Sequence, residues 1–211
     1  METILGPCIG HTTHNSVTIW LFIKSVAERG RRTLFITLHR DVLSAPAIGQ
    51  FSLRLSHATL GSGIATIEGL EADAFYYYKL WSDEKCEVTF ELTDLAETDL
   101  HFRTMPSPNR PTERLDFLMM SCHNPRMSRW DGYDGFKVWS RIPDILKENH
   151  NVRFALLGGD QVYADDWERK LLNATSIRSC VRIYLEAYEE FWSNPHYRRV
   201  LCSMPAYLMW D

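Results

Sequence analysis

The stretch VRFALLGGDQVYADD, residues 152–166, decides how the second half of the chain folds. VRFALLG (152–158) is a run of strand length that stops on Gly158-Gly159. A glycine pair permits a tight turn, so the carboxylate of Asp160 is aimed off the strand end into whatever crevice lies there. Two other strand-like runs also end on a polar group. RLDFLMMS (114–121) leads into Cys122-His123-Asn124, and AYLMW (206–210) leads into Asp211. Helical spacings separate them: Phe136, Trp139, Ile142, Ile145 and Leu146 within 134–149, then Val181, Tyr184, Leu185 and Tyr188 within 176–194. PHYRRVLCSM (195–204) reads as a further helix, opened by a proline whose missing N–H does no harm there. Strand, helix, strand, helices, strand predicts an α/β layer with parallel strands. Ligands of open α/β sheets bind outside the carboxyl ends of the strands, so Cys122, Asp160 and Asp211 are expected at one rim.

Upstream, MPSPNRPTER (105–114) holds three prolines and reads as a semi-rigid linker. Residues 1–104 follow a different pattern, with short runs rich in β-branched and aromatic residues at 17–23, 33–39, 51–57, 63–69, 75–81, 87–92 and 100–104. In FSLRLSH (51–57), Phe51, Leu53 and Leu55 alternate with Ser52, Arg54 and Ser56. About seven such strands with turn residues between them predict a β-sandwich. Leu70, six residues before Tyr76 at a strand start, resembles the tyrosine corner of immunoglobulin and fibronectin type III sandwiches. The expected organisation is therefore a sandwich over 1–104, a linker over 105–114 and an incomplete α/β domain over 115–211.

Composition narrows the function. Of the 211 residues 45% are hydrophobic and 24% charged, in the range of globular domains rather than disordered or fibrous chains. The net charge of −4 leaves no basic footprint for nucleic acid. The longest apolar runs fall far short of the ~20 residues a membrane span needs. The start METILGPCIGHTTHN has neither a basic nor an apolar leader region, so the expectation is a cytoplasmic protein. Five cysteines without a CxxC pair argue against a disulfide framework or a zinc knuckle. Neither a G-x-S-x-G elbow nor a phosphate-binding G-x-x-x-x-G-K-[ST] loop occurs.

A thiolate, carboxylates and the nearby phenol of Tyr163 are candidate metal ligands. A carboxylate on a tight turn offers two oxygens and can bridge two cations, which would clamp a phosphoryl group and activate water. The competing reading makes Asp160 a turn former, Cys122 an inert thiol, and Asp165-Asp166 a helix start.

Ser121-Cys122, LLGGDQVYADD (156–166) and PAYLMWD (205–211) resemble the alkaline phosphatase D (PhoD-like) family. That family carries a serine-cysteine strand end, a GDQxYAD block and a WDDHE block within a calcineurin-like metallophosphoesterase fold, preceded by an immunoglobulin-like domain. The resemblance spans the whole chain and ends inside the WDDHE block, where Asp211 matches the first aspartate. It implies Cys122, Asp160 and Tyr163 as ligands of a ferric ion, with Asp160 bridging to calcium and Asp211 as a further ligand. It implies hydrolysis of small-molecule or polymeric phosphate mono- or diesters by metal-activated water, with no other catalytic side chain identified. The chain, as an N-terminal portion, is expected to be inactive by itself. The usual metallophosphatase Asp-x-His is replaced here, with Cys122 for the aspartate and Asn124 for the histidine. His123, His150 and His196 match no motif position and read as surface or capping residues. The alternative function is a non-catalytic binding module built on the sandwich.

Overall fold

The structure, a computed structural model, describes residues 2–110, 114–122, 124 and 137–209. Seven antiparallel strands fill the N-terminal half: β1 (Ile4–Thr12), β2 (Ser16–Ile23), β3 (Arg31–Arg40), β4 (Ala47–Ser56), β5 (Ser62–Glu68), β6 (Phe75–Trp81) and β7 (His101–Arg103). They form two sheets, ordered β1-β2-β5 and β4-β3-β6-β7. Alternation decides the packing. Val17, Ile19 and Leu21 of β2 meet Leu34, Ile36 and Leu38 of β3, Leu53 and Leu55 of β4, and Tyr76, Tyr78 and Leu80 of β6 in one buried cluster. Gly63 sits where β5 crosses the Arg54 carbonyl of β4, and a Cβ there would collide with that oxygen. The Tyr76 hydroxyl accepts a hydrogen bond from the Glu71 N–H at 2.9 Å, the backbone tie expected of a tyrosine corner.

Two segments depart from the sequence expectation. Residues 87–92 form no strand, only a single bridge between Thr89 and Trp81. The Asp83 carboxylate accepts from the Glu87 and Val88 N–H groups and holds the chain in a turn instead. Conversely, β1 and the short helix α1 (Lys24–Arg29) were not signalled. β1 has no readable alternation because Leu5 through Ile9 are all buried. Ile9 packs into the core between the sheets, while Cys8 packs into a second core with Trp139, Ala155, Tyr197 and Leu201.

That second core belongs to the C-terminal half. Strands β8 (Asp116–Met120), β9 (Val152–Leu157) and β10 (Ala206–Leu208) form a parallel sheet with β9 in the centre. Helices α2 (Lys137–Glu148), α3 (Glu168–Leu172), α4 (Ile177–Trp192) and α5 (Pro195–Leu201) complete the half. Asn194 caps α5 by accepting from the N–H groups of His196 and Tyr197, and Pro195 follows at the first helical position. Trp139 of α2 and Tyr197 of α5 meet edge to face at 4.6 Å, and Leu118, Met120, Ala155, Leu157 and Ala206 complete this side of the sheet. No helix among the described residues is long and apolar enough to cross a membrane.

Buried polar ties join the halves. Arg198 donates from Nε and Nη2 to the Gly6 carbonyl, and from Nη1 to that of Thr93. The Tyr78 hydroxyl donates to the Cys202 carbonyl at 2.9 Å. Arg153, itself buried, pairs with Asp73 at 2.8 Å.

His101 of β7 packs against Phe75 and Tyr77 near this junction. Burial lowers its imidazole from 6.5 to about 4, with Asp99 and the backbone of Ser203 opposing the shift. Its folded pKa lies below the unfolded one, so the unfolded chain binds the extra proton first and stability falls as pH drops from about 6.5 towards 4. The group's share of that loss is about 3 kcal/mol. Denaturant melts of the wild type and of His101→Phe across this window should show a shallower pH dependence in the variant; parallel curves would assign the acid sensitivity elsewhere.

Candidate metal centre

β8 and β9 run parallel with Met120 opposite Leu157, and the Gly158 N–H donates to the Met120 carbonyl at 2.7 Å. Both strands therefore release their chains at the same edge of the sheet, one into Ser121-Cys122 and the other into Gly159-Asp160. Backbone direction then changes sharply at each end. Cys122 has φ 59°, Asp160 φ 47° and Gly159 φ 111°, all in left-handed territory. A side chain in that region costs about 1–2 kcal/mol relative to the right-handed one. The structure thus brings Cys122 and Asp160 to one rim, as the parallel grammar requires.

Tyr163 closes the cluster. Its hydroxyl donates to Asp160 Oδ2 at 2.8 Å, and its ring stacks at 6.0 Å on Phe191. Phe191 is fully buried in a small core with Trp167, Ile183 and Ala187, so α4 is the platform on which the phenol rests. Burial raises the phenol's pKa first, then its bond and charge contact with the Asp160 carboxylate, then those with the Cys122 thiol. Without a cation among these groups the phenol keeps its proton. A cation between them would reverse that electrostatic preference.

Gln161 was not singled out from sequence. Its side-chain amide donates to the carbonyls of Leu157 and Gly159, both at 3.0 Å, and so braces the turn that presents Asp160. Its Oε1 is buried without a hydrogen-bond partner beside the donor cluster. An amide immediately after Gly-Gly-Asp was the only sequence signal for this role.

The acidic pair after Tyr163 falls elsewhere. Asp165 and Asp166 are exposed in a single 3-10 turn ahead of α3. Asp211 and His123 lie outside the described residues. Among the described residues no three His, Cys, Asp or Glu side chains form a metal-sized group, so the cluster consists of one thiol, one carboxylate and one phenol. These donors suit a cation with affinity for both oxygen and sulfur.

No family model and no curated protein matches the chain. Among solved structures, that of PhoD superposes with a TM-score of 0.68 over 99% of this chain at 14% identity. The likeness is one of fold. This chain spans 38% of the PhoD chain it matches. The sensor domain of the anti-sigma factor RsgI4 of Pseudobacteroides cellulosolvens matches 55% of the chain at 14% identity, with a TM-score of 0.31 too low to carry an argument.

If Cys122 is kept in a left-handed conformation for its sulfur rather than for the turn, a better left-handed residue should not harm the fold. Cys122→Asn is expected to leave unfolding free energy unchanged or raise it by up to about 1 kcal/mol, because asparagine tolerates this region. A loss of more than about 1 kcal/mol in denaturant melts would make Cys122 a packing residue.

Proposed function

We propose that the chain carries an immunoglobulin- or fibronectin-like sandwich followed by the first part of a PhoD-like, calcineurin-type metallophosphoesterase domain. Its activity would be the metal-dependent hydrolysis of phosphate mono- or diesters. One observation carries the reading: Cys122 and Asp160, each in a left-handed conformation, stand at neighbouring parallel strand ends with the Tyr163 hydroxyl on the Asp160 carboxylate. The fold-level likeness to PhoD and the GDQVYAD stretch support it.

In this reading Cys122, Asp160, Tyr163 and Asp211 would hold a ferric ion and calcium between them, with Asp160 shared by the two. When bound, such cations supply Lewis-acid polarisation of a phosphoryl oxygen and lower the pKa of water. The protein's own groups do the positioning. Asp160 offers two carboxylate oxygens on a turn braced by Gln161. Tyr163, held on Phe191, fixes the rotation of that carboxylate through its hydrogen bond and would serve a cation as a phenolate. The Cys122 thiol is exposed on the rim, where a cation can reach it. Three donors bind a catalytic cation weakly without further ligands and the partners that orient them.

Ferric titration of the purified 211-residue chain, followed by visible absorbance, tests this directly. Weak uptake is expected, with a phenolate-to-iron band that disappears in Tyr163→Phe and falls in Cys122→Ala. Hydrolysis of bis-p-nitrophenyl phosphate should stay at background. Absence of any band in the wild type, or a band that survives Tyr163→Phe, rejects the site and leaves the binding-module reading. Turnover abolished by Asp160→Ala would show that these residues suffice for catalysis.

A further inference from the structure

α1, the end of β2 and the 3-10 turn at His57–Thr59 face the first half of α4 across a cleft of about 670 Å³. That volume lies in the range of small-molecule sites. The lining divides by chemistry. Phe22, Leu60, Val181 and Leu185 supply apolar surface, and Arg178 and Arg182 stand one helical turn apart on α4. The Lys24 ammonium meets the Glu189 carboxylate from wall to wall at 2.7 Å, and Glu186 is taken by Lys170 at 2.8 Å. Among the described residues this leaves two guanidiniums in the lining against the single carboxylate of Glu28. Three features here cost stability and return none within the chain. Arg178 and Arg182 repel each other at i,i+4 spacing, and neither has an ion-pair partner among the described residues. α4 carries these cations in its first half and Glu186, Glu189 and Glu190 in its second, opposite to the order its dipole favours. Leu60 ends the 3-10 turn at φ 52°, where glycine or asparagine is the ordinary choice, and stays 47% exposed at the cleft.

We propose that the cleft binds a small organic phosphate, with its anionic head on Arg178 and Arg182 and a short apolar body against Leu60, Val181 and Leu185. Guanidinium forks match phosphate oxygens bidentately, and a dianion answers both cations where one carboxylate would answer one. The apolar lining sets the rest of the ligand, since a bare inorganic ion would leave Leu60 and its neighbours in water. A protein segment of core composition packed into the same space would bury both guanidiniums without an anion, which is strongly unfavourable. The ligand therefore has to bring negative charge and apolar surface together. The cleft is separate from the candidate metal centre. Phe191, on which Tyr163 rests, lies about 20 Å along α4 from Arg178. The proposal stands without the metal reading.

Isothermal titration calorimetry of the 211-residue chain with n-hexyl phosphate, inorganic phosphate and hexan-1-ol tests the proposal. Hexyl phosphate should bind at least about 10-fold more tightly than either of the others, because each lacks half of the complement. Arg178→Gln and Arg182→Gln should each weaken it about 10-fold or more. Arg141→Gln, at an exposed arginine of α2, should leave it unchanged. Leu60→Gly suits the left-handed backbone and should weaken hexyl phosphate while leaving inorganic phosphate as it was. Hydrogen exchange of 177–185 in the wild type should slow on addition of hexyl phosphate, which reports occupancy without any variant. No heat at millimolar hexyl phosphate, equal affinity for inorganic phosphate, or binding that survives both arginine changes overturns the proposal. Binding abolished by Asp160→Ala would put the ligand in the metal centre and overturns it as well.

Discussion

Arg198 is buried to 4% exposure, and its guanidinium is solvated almost wholly by backbone: two bonds to the Gly6 carbonyl and one to that of Thr93. Taking such a charge from water costs several kcal/mol unless its donors are answered. Burial lowers its pKa, and the Asp94 carboxylate is among the groups that oppose the shift. Burial also pushes the Cys8 thiol up to about 12, so it stays neutral and cannot act as a counter-ion. The cation therefore depends on carbonyl geometry, and carbonyl geometry depends on β1 lying where it does. α5 is locked to β1 by this constraint. From α5 the chain passes through Met204 and Pro205, whose carbonyl accepts from the Ala155 N–H at 2.8 Å, into β10. The register of β10 on β9 follows, and with it the sheet edge that carries Asp160.

A second tie secures the other side. Asp73, itself at φ 58°, is shared between Arg153 of β9 at 2.8 Å and Arg103 of β7 at 3.1 Å. Burial lowers the Arg153 pKa first and the like charge of Arg103 lowers it further, with Asp73 pulling the other way. Two guanidiniums on one partly exposed carboxylate make a poor source of stability but a specific one, because a shifted β9 would leave Arg153 buried with no anion. The halves are thus registered at both margins of β9. The sandwich acts as a frame for the strand whose end presents the candidate metal ligands.

Much of this was legible, for physical reasons that can be named. β2, β4, β5 and β6 alternate, since each buries one face, and period 2 is visible in their residues. α4 and the parallel strands were legible from helical spacing and short apolar runs. β1 was not, because it serves two cores and so has no polar face to set the period. Residues 87–92 read as a strand on composition, yet the Asp83 carboxylate captures the amides a ladder would need. The apolar run LDFLMM has the composition of a strand buried on both faces, and composition cannot report that Phe117 and Met119 stand in the open. At the site, Cys122, Asp160 and Tyr163 were visible as polar residues at or just after strand ends. Gln161 was not, because its work is done through backbone carbonyls and its one trace in sequence is an amide after Gly-Gly-Asp.

Left-handed backbone alone does not single out the site. Asp41, Leu60, Asp73, Cys86 and Asp94 share it, with φ between 52° and 67°. Leu60 terminates a 3-10 turn, and Cys86 lies in the turn gathered by Asp83. In such turns the local hydrogen bonds account for the conformation. Cys122 and Asp160 differ in what lies around them. They leave two hydrogen-bonded strands at the same edge, and one phenol contacts both side chains. A turn needs no second strand to share its geometry, and a packed thiol needs no exposed position. The coincidence of strain, parallel strand ends and a common phenol is therefore the physical basis of the proposed metal site, and it needs all three residues together.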